Sequence, residues 1–354
     1  MAACHHLGSL AHGHRLLGPG ASSLASSPHS LIPPAPAGAG LSWLSKRPAV
    51  LRRRQGPETM RRMLLDTASL TYRAFHALPE SLTDAQGQPI GGVRGVLDMH
   101  ARLIGDHAPG EIVHVFDADW RPQPRVALCP SYKANRPLEP EAITAQFTLL
   151  RQVLDGLGLA RAEAPGWEAD DAIAALALGA EAGDEVLIVS GDRDLLQLVR
   201  DGDAATATVQ LLYTQRGVTD LAAFDAAAVR AAYGVAPERY ADYAALRGDP
   251  SDGLLGLAGA GAKTARGLVE RYGDVDTLIA HADEQTPALA RNLDAGAEAL
   301  RATKWVVALR GEVEVDVVRP ESHMDRVAAL ARAHSLEGPV GRLARASGLS
   351  SPTS

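Results

Sequence analysis

The 354-residue chain has little cysteine, the residue that stabilises small secreted domains and binds structural zinc. Its two cysteines, Cys4 and Cys129, form neither a CxxC pair nor a disulfide framework, so a reducing compartment is the simplest interpretation. No apolar run reaches the roughly 18 to 20 residues that span a bilayer. The HExxH motif is absent, and the 12 histidines are scattered. These absences argue against a disulfide-rich secreted domain, a membrane-spanning protein and a histidine-based zinc site.

Charge is distributed unevenly along the sequence. The formal net charge is −7, yet residues 1–59 carry six Lys or Arg residues and only one acidic residue. The remainder therefore has 29 basic and 41 acidic residues, a net charge of −12. The overall net charge of −7 alone argues against a generic nucleic-acid binder, but the uneven distribution changes that argument. An acidic body with local basic patches instead suits a protein that concentrates carboxylates around a metal.

The first 59 residues differ in composition from the rest. They are rich in Ala, Gly, Ser, Pro and His without a sustained period, so residues 1–59 are predicted to be a disordered, low-complexity extension. They lack the charged start and long apolar core of a secretory signal, whereas a transit peptide stays open. Met60 and Met63 stand just before the first predicted strand, so the start codon could encode Met1, Met60 or Met63.

Two patterns follow one another beyond this extension. Over residues 60–216, the short apolar runs RMLLD, EIVHVFD, EVLIVSGDRD and TVQLLYT are separated by helical patterns. This alternation predicts an α/β domain in which a mostly parallel sheet is flanked by helices. Residues 217–345 are rich in alanine with helical periodicity and are predicted to form a second, helical domain.

Acidic residues are concentrated where the predicted strands end. Sites in an open parallel sheet form beyond the carboxyl ends of its strands. Seven acidic residues share this placement: Asp66, Asp117, Asp192 and Asp194 after strands, and Glu168, Asp170 and Asp171 at the start of a helix. A single such residue is commonly a cap or turn residue, but seven carboxylates would repel one another. A hard cation resolves that repulsion, and oxygen-only ligands indicate magnesium or manganese.

A second acidic segment, ALRGDPSDGLLGLAGAGAKTARGLVERYG, contains Asp249 and Asp252 before a glycine-rich turn. Gly259, Gly261 and Lys263 lie where a helix is predicted to begin. Free N–H groups at a helix N-terminus bind phosphate, and glycines allow a close approach. A GxG pattern alone fits a simple helix-turn-helix equally well. Beside the acidic residues, it indicates a contact with a nucleic-acid backbone without base readout.

Five stretches in this order carry a family resemblance over residues 62–310. They are LLDTASLTYRAFHALP, VFDADWRPQPRVALCPSYKANRP, GWEADDAIAALA, VLIVSGDRDLLQLV and the segment that begins YGVAPERYADYAALRGDPSDG. The sequence resembles the bacterial 5'-3' exonucleases of the flap-endonuclease-like superfamily, which includes the amino-terminal domain of DNA polymerase I. DTAS, SDG and GAGAK replace the usual DGSS, SDN and GVGEK, but no acidic residue is lost. The polymerase and proofreading portions are missing, which suggests a stand-alone member.

The resemblance implies a PIN-like nuclease domain followed by a helix-hairpin-helix-type DNA-binding region. It implies two divalent cations, Mg²⁺ or Mn²⁺, and hydrolysis of DNA at free 5' ends and 5' flaps. Nine residues match the family's two metal groups: Asp66, Asp117, Glu168, Asp170 and Asp171 in the first, and Asp192, Asp194, Asp249 and Asp252 in the second. Asp171 is expected between the two groups. Asp170 and Asp171 are therefore also predicted to be essential for catalysis.

Further residues are predicted to contact the DNA. Lys133 and Arg136, in YKANR, are expected to hold the scissile phosphate, and the motif match favours this role over a solvated basic loop. Tyr132 is expected either to stack on a terminal base or to be a buried aromatic residue. Arg73 is expected to contact phosphate, with a helix-surface charge as the alternative. Gly259, Gly261 and Lys263 complete the predicted DNA-binding set.

Other classes of protein remain open at this point. A PIN-like ribonuclease would share the acidic edge but lack the helical region after residue 217. A non-catalytic structure-specific DNA-binding protein would tolerate loss of acidic residues, yet all nine are present. A phosphatase with an Asp nucleophile would need DxDx[TV], which DTASL does not supply. A bacterial cytoplasmic, nucleoid-associated protein without membrane contact is expected, whereas RNA–DNA hybrid activity and protein partners stay open.

Overall fold

The computed structural model describes residues 59–352 except 138 and 216. The predicted disordered extension thus lies, apart from its last residue, outside the described residues and stays a prediction. Seven strands form one sheet, in the spatial order β6-β5-β4-β1-β2-β3-β7. The strands are β1 (Arg61–Asp66), β2 (Glu111–Val115), β3 (Arg161–Glu163), β4 (Glu185–Ser190), β5 (Thr208–Thr214), β6 (Leu221–Phe224) and β7 (Asp316–Val318).

The five inner strands are parallel, and both edge strands are antiparallel to their neighbours. The prediction of a mostly parallel sheet is therefore confirmed. Strand β1 lies between β4 and β2, with Leu65 opposite Val189 and Asp66 opposite Val115. This register places the carboxyl ends of β1, β2 and β4 side by side. The edge that they form is the one where parallel sheets place their sites.

Helices cover both faces of the sheet. Twelve helices lie in the described residues: α1 (Thr67–Ala77), α2 (Gly91–His107), α3 (Gln123–Leu128), α4 (Glu141–Leu157), α5 (Ala169–Leu178), α6 (Ala226–Tyr233), α7 (Tyr240–Arg247), α8 (Ala262–Tyr272), α9 (Val275–Ala280), α10 (Pro287–Val307), α11 (Met324–Ala333) and α12 (Glu337–Ala346). Successive side chains of β1 alternate between two cores: Met63 and Leu65 face one layer, and Leu64 faces the other. Burial on both faces explains why the inner strands are continuous apolar runs.

The chain after residue 217 is mainly helical, as predicted, but it also returns to the sheet. Strands β6 and β7 form the two sheet edges, and neither was predicted. The last two helices pack on the earlier part of the chain, α11 against α4 and α12 against α2. The described residues belong to one compact unit, and a domain boundary at residue 216 stays a prediction. Along this part of the chain, no helix combines the length and apolarity needed to cross a membrane.

Candidate active site

The carboxyl edge of the sheet brings three acidic residues together. Asp66 is the last residue of β1, Asp117 follows β2 by two residues, and Asp192 follows β4 by two residues. The Asp66 carboxylate caps α1, because it accepts a hydrogen bond of 3.0 Å from the Ser69 N–H. It also accepts a hydrogen bond from the Ser190 hydroxyl. Strand ends and a helix start thus fix the position of this side chain.

Burial raises the pKa of Asp66 to about 7, against the lowering effect of its two hydrogen bonds. The negative charges of Asp117 and Asp192 raise it further. Asp66 is only 3% exposed, so water does little to screen these charges. At this position, the fold holds a carboxylate whose charged form is disfavoured.

The same effect extends to the start of α5 and to the loop after β4. Burial, followed by the charges of Asp192 and Asp66, raises the pKa of Asp170 well above its usual range. Burial raises the pKa of Asp194 as well, and Asp192, Asp252 and Asp249 add to the shift. These mutual shifts show that residues from both predicted metal groups lie near one another. Burial and neighbouring carboxylates outweigh the lowering effect of Lys133 there, as expected for a site with an excess of negative charge.

The donor chemistry of this cluster fits a divalent cation. Asp170 and Asp194 accept no side-chain hydrogen bond from protein donors in the described residues, and Asp117 accepts one, from the Ala169 N–H at 2.8 Å. Each carboxylate therefore keeps oxygen lone pairs that a hard cation could use. No three His, Cys, Asp or Glu side chains of the described residues already converge on one metal position. The carboxylates thus lie near enough to raise one another's pKa values in several cases, but among the described residues they do not form a closed ligand shell.

Glu168 and Asp171 are bonded differently from the other acidic residues. Glu168 accepts a hydrogen bond of 2.7 Å from the Tyr132 hydroxyl and forms ion pairs with Lys133 and Arg125. Both oxygens of Asp171 accept hydrogen bonds from Arg125, at 2.6 and 2.8 Å. The resemblance implies that Asp171 lies between the two metal groups, and in this structure both oxygens of its carboxylate are bonded to Arg125.

The YKANR loop connects the two groups of acidic residues. The Lys133 N–H donates to the Asp252 carbonyl at 2.8 Å, and the Lys133 side chain bonds to Glu168. Lys133 adopts a φ of +52°, a left-handed conformation that is uncommon for a residue with a side chain and is often found at functional sites. Arg136 pairs with the Asp252 carboxylate at 2.5 Å. Lys133 and Arg136, the two basic residues predicted to be catalytic, thus lie beside predicted metal ligands.

Tyr132 is 6% exposed, and its hydroxyl is bonded to Glu168. The predicted stacking of its ring on a terminal base is therefore not possible in this arrangement, because protein atoms cover the ring. The alternative, a buried aromatic residue, describes its position correctly.

Arg73 lies on α1, close to the loop that follows β4. Its guanidinium donates to the Gln215 carbonyl at 3.3 Å. A Cβ at Gly191 would lie 2.6 Å from an Arg73 nitrogen, so this glycine allows the close approach. Arg73 also lines an open groove with Ser69, Tyr72 and His76. The groove is compatible with the predicted phosphate contact.

The glycine-rich turn lies at the start of α8, after the second acidic segment. Gly259 has a φ of +84°, and Gly261 is the N-terminal cap residue of α8. Lys263, in the first turn of this helix, is exposed. Gly253, which replaces the usual asparagine, has a φ of +69°, and a Cβ there would lie 2.2 Å from the Ser131 carbonyl oxygen. This substitution lets the two loops make close contact.

Three residues that support this site were missed in the sequence. Arg125 bonds to Glu168 and Asp171, Ser190 bonds to Asp66, and the Arg310 N–H donates to Asp171 at 2.9 Å. Ser190 comes directly before the GDRD segment and could have been suspected from that position. Arg125 and Arg310 have no distinguishing pattern, since their partners are set by tertiary contacts.

Two protein-family models match the part of the chain that forms this site. The model of the 5'-3' exonuclease N-terminal resolvase-like domain matches residues 61–234. The model of the 5'-3' exonuclease C-terminal SAM fold matches residues 235–328. Together, they cover the sheet, the acidic edge and the helices up to α11.

Several proteins are similar over most of the chain. A 5'-3' exonuclease of Mycobacterium tuberculosis is 38% identical over 311 residues, which cover 80% of this chain and 96% of the relative. A 5'-3' exonuclease of Streptomyces coelicolor is 41% identical over 301 residues, covering 79% and 98%. DNA polymerase I of M. tuberculosis is 44% identical over 223 residues, but the match covers only 24% of that longer protein.

Solved structures share the fold at low sequence identity. The bacteriophage T5 D15 protein, co-crystallised with metal ions, has a TM-score of 0.56 and 20% identity, covering 81% of this chain and 99% of that chain. Human GEN1 in complex with Holliday junction DNA has a TM-score of 0.55 and 13% identity, covering 80% and 70%. The predicted fold class and family resemblance are confirmed. The chain belongs to the 5'-3' exonuclease family.

Proposed function

We propose that this protein is a metal-dependent 5'-3' exonuclease and 5'-flap endonuclease that hydrolyses DNA phosphodiester bonds. The observation that carries the proposal is the group of buried carboxylates at the carboxyl edge of the sheet, whose pKa values are raised first by burial and then by neighbouring carboxylates. If these carboxylates served only the fold, we would expect each to be paired with a basic side chain or to be replaced by an uncharged residue. The named 5'-3' exonuclease relatives support the same reaction.

The proposed cofactors are two divalent cations, Mg²⁺ or Mn²⁺. The side chains that would hold them are Asp66, Asp117, Glu168 and Asp170 at the strand ends and the start of α5, and Asp192, Asp194, Asp249 and Asp252 in the later loops. When bound, the cations supply Lewis-acid charge and lower the pKa of bound water. The metal-ion-bound T5 structures support a divalent cation in this fold.

Lys133 and Arg136 supply the positive charge of the proposed site. Both lie on one loop, and both are already held by carboxylates, Lys133 by Glu168 and Arg136 by Asp252. A DNA phosphate that enters the site would compete with these carboxylates for the Lys133 and Arg136 side chains. Lys133 would then hold the scissile phosphate and stabilise the negative charge that develops on it. The bond from the Lys133 N–H to Asp252 keeps the backbone of the loop in place during this exchange.

DNA with free 5' ends or 5' flaps is the proposed substrate. Gly259, Gly261 and Lys263 at the start of α8 would bind backbone phosphates of the duplex, with Arg73 beside the cluster. We also propose that the protein acts in replication and repair in the bacterial cytoplasm, where chromosomal DNA lies. The bacterial sources of its 5'-3' exonuclease relatives support this setting.

A labelled 5'-flap duplex, incubated with and without Mg²⁺, tests the proposal. The expected result is Mg²⁺-dependent release of the flap by the unaltered chain and none by Asp170→Ala. Asp325→Ala, at an exposed position on α11, is the matched control and should cut normally. A chain that binds the flap without cutting it would overturn the proposal in favour of a non-catalytic DNA-binding protein. Cleavage of an RNA flap alone would overturn it in favour of a ribonuclease.

A further inference from the structure

Arg125 on α3 is a buried charge that the proposed reaction does not use. It is 2% exposed, and its guanidinium lies near the rings of Tyr132 and Trp167, 6.0 and 5.7 Å from their centroids. One terminal nitrogen donates to Glu168 at 2.5 Å, and the two terminal nitrogens donate to the two oxygens of Asp171. The Nε–H donates to the Val306 carbonyl at 2.9 Å. This side chain therefore contacts α5 and the end of α10 at the same time.

The Asp171 carboxylate has no oxygen lone pair left for a metal. Its Oδ1 accepts from Arg125 at 2.8 Å and from the Arg310 N–H at 2.9 Å. Its Oδ2 accepts from Arg125 at 2.6 Å and from the Glu168 N–H at 3.4 Å. A carboxylate offers about four acceptor positions, and all four are used. Asp171 is also fully buried, whereas the adjacent Asp170 is only partly covered and accepts no such bonds among the described residues.

We infer that Asp171 is not a metal ligand, and that the Arg125–Asp171 pair is an internal clasp that joins the start of α5 to the end of α10. The clasp consists of Arg125, Asp171, the Val306 carbonyl and the Arg310 N–H. The inference rests on the proposed function only in that metal ions are expected at the acidic cluster. It replaces the sequence-based assignment of Asp171 to the metal ligands.

The clasp also orients Glu168. Its Oε2 accepts from Arg125 and from the Tyr132 hydroxyl, while its Oε1 bonds to Lys133. If Lys133 turns to a bound phosphate, Oε1 becomes the oxygen that faces the metal group. Arg125 is thus a positioning residue: it touches neither metal nor substrate, and it fixes which Glu168 oxygen is presented.

Adjacent asparagine variants separate the clasp from the metal site. Asp170→Asn and Asp171→Asn make the same chemical change one residue apart, and Mn²⁺ binding to the full chain is measured by electron paramagnetic resonance. Asp170→Asn should weaken Mn²⁺ binding at least about tenfold without lowering the melting temperature. Asp171→Asn should leave Mn²⁺ affinity within about threefold and lower the melting temperature by several degrees, because Arg125 loses its partner. Equal losses of Mn²⁺ affinity with unchanged melting temperatures would overturn the inference.

A second variant carries the test if Asp171→Asn does not fold. In Arg125→Met/Asp171→Leu both charges are removed together, and such replacements often restore stability. This variant should bind Mn²⁺ more tightly than Asp170→Asn, and an equal loss would overturn the inference.

The positioning role of Arg125 has its own measurement. Arg125→Lys keeps the charge but loses the forked contact, so the Mn²⁺ concentration for half-maximal cleavage should rise several-fold. DNA affinity measured in Ca²⁺ should not change, and Arg125→Met should be more strongly affected than Arg125→Lys. An unchanged Mn²⁺ requirement in both variants would remove the positioning role. Absence of cleavage in the unaltered chain would instead count against the proposed function, since the Mn²⁺-binding and melting experiments do not depend on cleavage.

Discussion

The two ends of the sheet carry buried charge in opposite ways. At the amino edge, Arg62 on β1 pairs with Asp184 at 2.9 Å and with Glu111, and Arg319 pairs with Glu111 at 2.8 Å. Among the described residues, these contacts join two basic side chains to two carboxylates. At the carboxyl edge, burial raises the pKa values of Asp66, Asp170, Asp192 and Asp194, and the charges of neighbouring carboxylates raise them further. The nearby basic side chains, Lys133 and Arg136, pair with Glu168 and Asp252.

This difference separates charge that supports the fold from charge that supports chemistry. A balanced network such as the one around Arg62 costs little once it is complete, but loss of one member leaves a buried charge unpaired. An unbalanced cluster is unfavourable in the free protein and becomes favourable when a ligand supplies the missing charge. Violations of local rules of this kind are expected at functional sites. The amino ends of the inner strands therefore form a stabilising edge of the sheet, and their carboxyl ends form a reactive edge.

The largest effect is expected at the reactive edge. Asp170→Ala should lower single-turnover cleavage of a 5'-flap duplex by roughly a thousandfold or more, because it removes an oxygen donor from the metal group. DNA binding should be unchanged or tighter, and the melting temperature unchanged or higher, because a repelling charge is lost. A lower melting temperature of Asp170→Ala would show that charge at the reactive edge also stabilises the fold, which contradicts the proposed difference between the two edges.

At the stabilising edge, loss of a carboxylate charge should lower stability and leave cleavage unchanged. Asp184→Asn removes one partner of the buried Arg62 and should lower the free energy of unfolding by roughly 3 to 5 kcal/mol. Cleavage by the folded protein at low temperature should be retained. Urea unfolding followed by circular dichroism measures the first quantity, and the flap assay measures the second. Lost cleavage in a fully folded Asp184→Asn protein would show that the edges are not independent.

Between the edges, a face of the sheet holds two neutral histidines. His100 on α2 and His114 on β2 are fully buried, with ring centroids 4.8 Å apart. Burial lowers the pKa of His114 to about 4, although its bond to the Ala160 carbonyl acts the other way. The unfolded chain therefore binds a proton near pH 6.5 that the folded chain rejects, so stability falls as the pH drops from 6.5 to 4.

His114→Gln tests the effect of this buried histidine on stability. The variant should lose about 3 kcal/mol of the pH-dependent change in unfolding free energy over that interval. Urea unfolding of both proteins at several pH values between 4 and 7 measures the change. Parallel stability curves would show that the histidine does not titrate in this way.

Lys133 supplies a smaller effect on catalysis. Lys133→Ala should lower the single-turnover rate at saturating DNA by roughly a hundredfold, since it removes one preorganised charge contact to the phosphate. Arg73→Ala, at a predicted phosphate contact outside the YKANR loop, is the comparison variant and should mainly weaken binding. A single-turnover rate for Lys133→Ala equal to that of the unaltered chain would reduce this residue to a steering role.

The smallest effect is expected on α8. Lys263→Ala should weaken binding of flap DNA and reduce the slope of log affinity against log salt by about one. Cleavage at saturating DNA should be preserved, because this side chain lies on the helical region and not on the acidic loops. A fluorescence anisotropy titration at several salt concentrations measures the slope. An unchanged slope would exclude a phosphate contact at Lys263.

Much of the reactive edge could be predicted because strand ends and their order follow from local patterns. Asp66, Asp117 and Asp192 follow apolar runs, and parallel strands place such residues at one edge. The different bonding of Asp170 and Asp171 was beyond sequence reasoning. Adjacent helical residues point about 100° apart, so one faces the cluster while the other faces Arg125. Which carboxylate a long arginine reaches depends on tertiary packing alone.

The edge strands were missed for a local reason. LAAF, in β6, contains two alanines and follows the pattern of the helices around it, and DVV, in β7, is too short to show alternation. Both strands exist because they complete the hydrogen bonds of β5 and β3. Sheet pairing supplies this information, and no short stretch of sequence contains it.

The position of α12 has a consequence for how the protein is made. The helix covers α2, and Arg342 on α12 bonds to Asp98 on α2 across 244 residues of chain. A ribosome adding about 5 to 20 residues per second needs roughly 12 to 50 seconds to make the intervening chain. During that time α1 and α4 can pack on α2, but the part of α2 that α12 covers in the folded protein stays open. A product of premature termination before residue 324 would keep that part of α2 exposed, and cellular proteases would remove it even though it contains every acidic residue of the site.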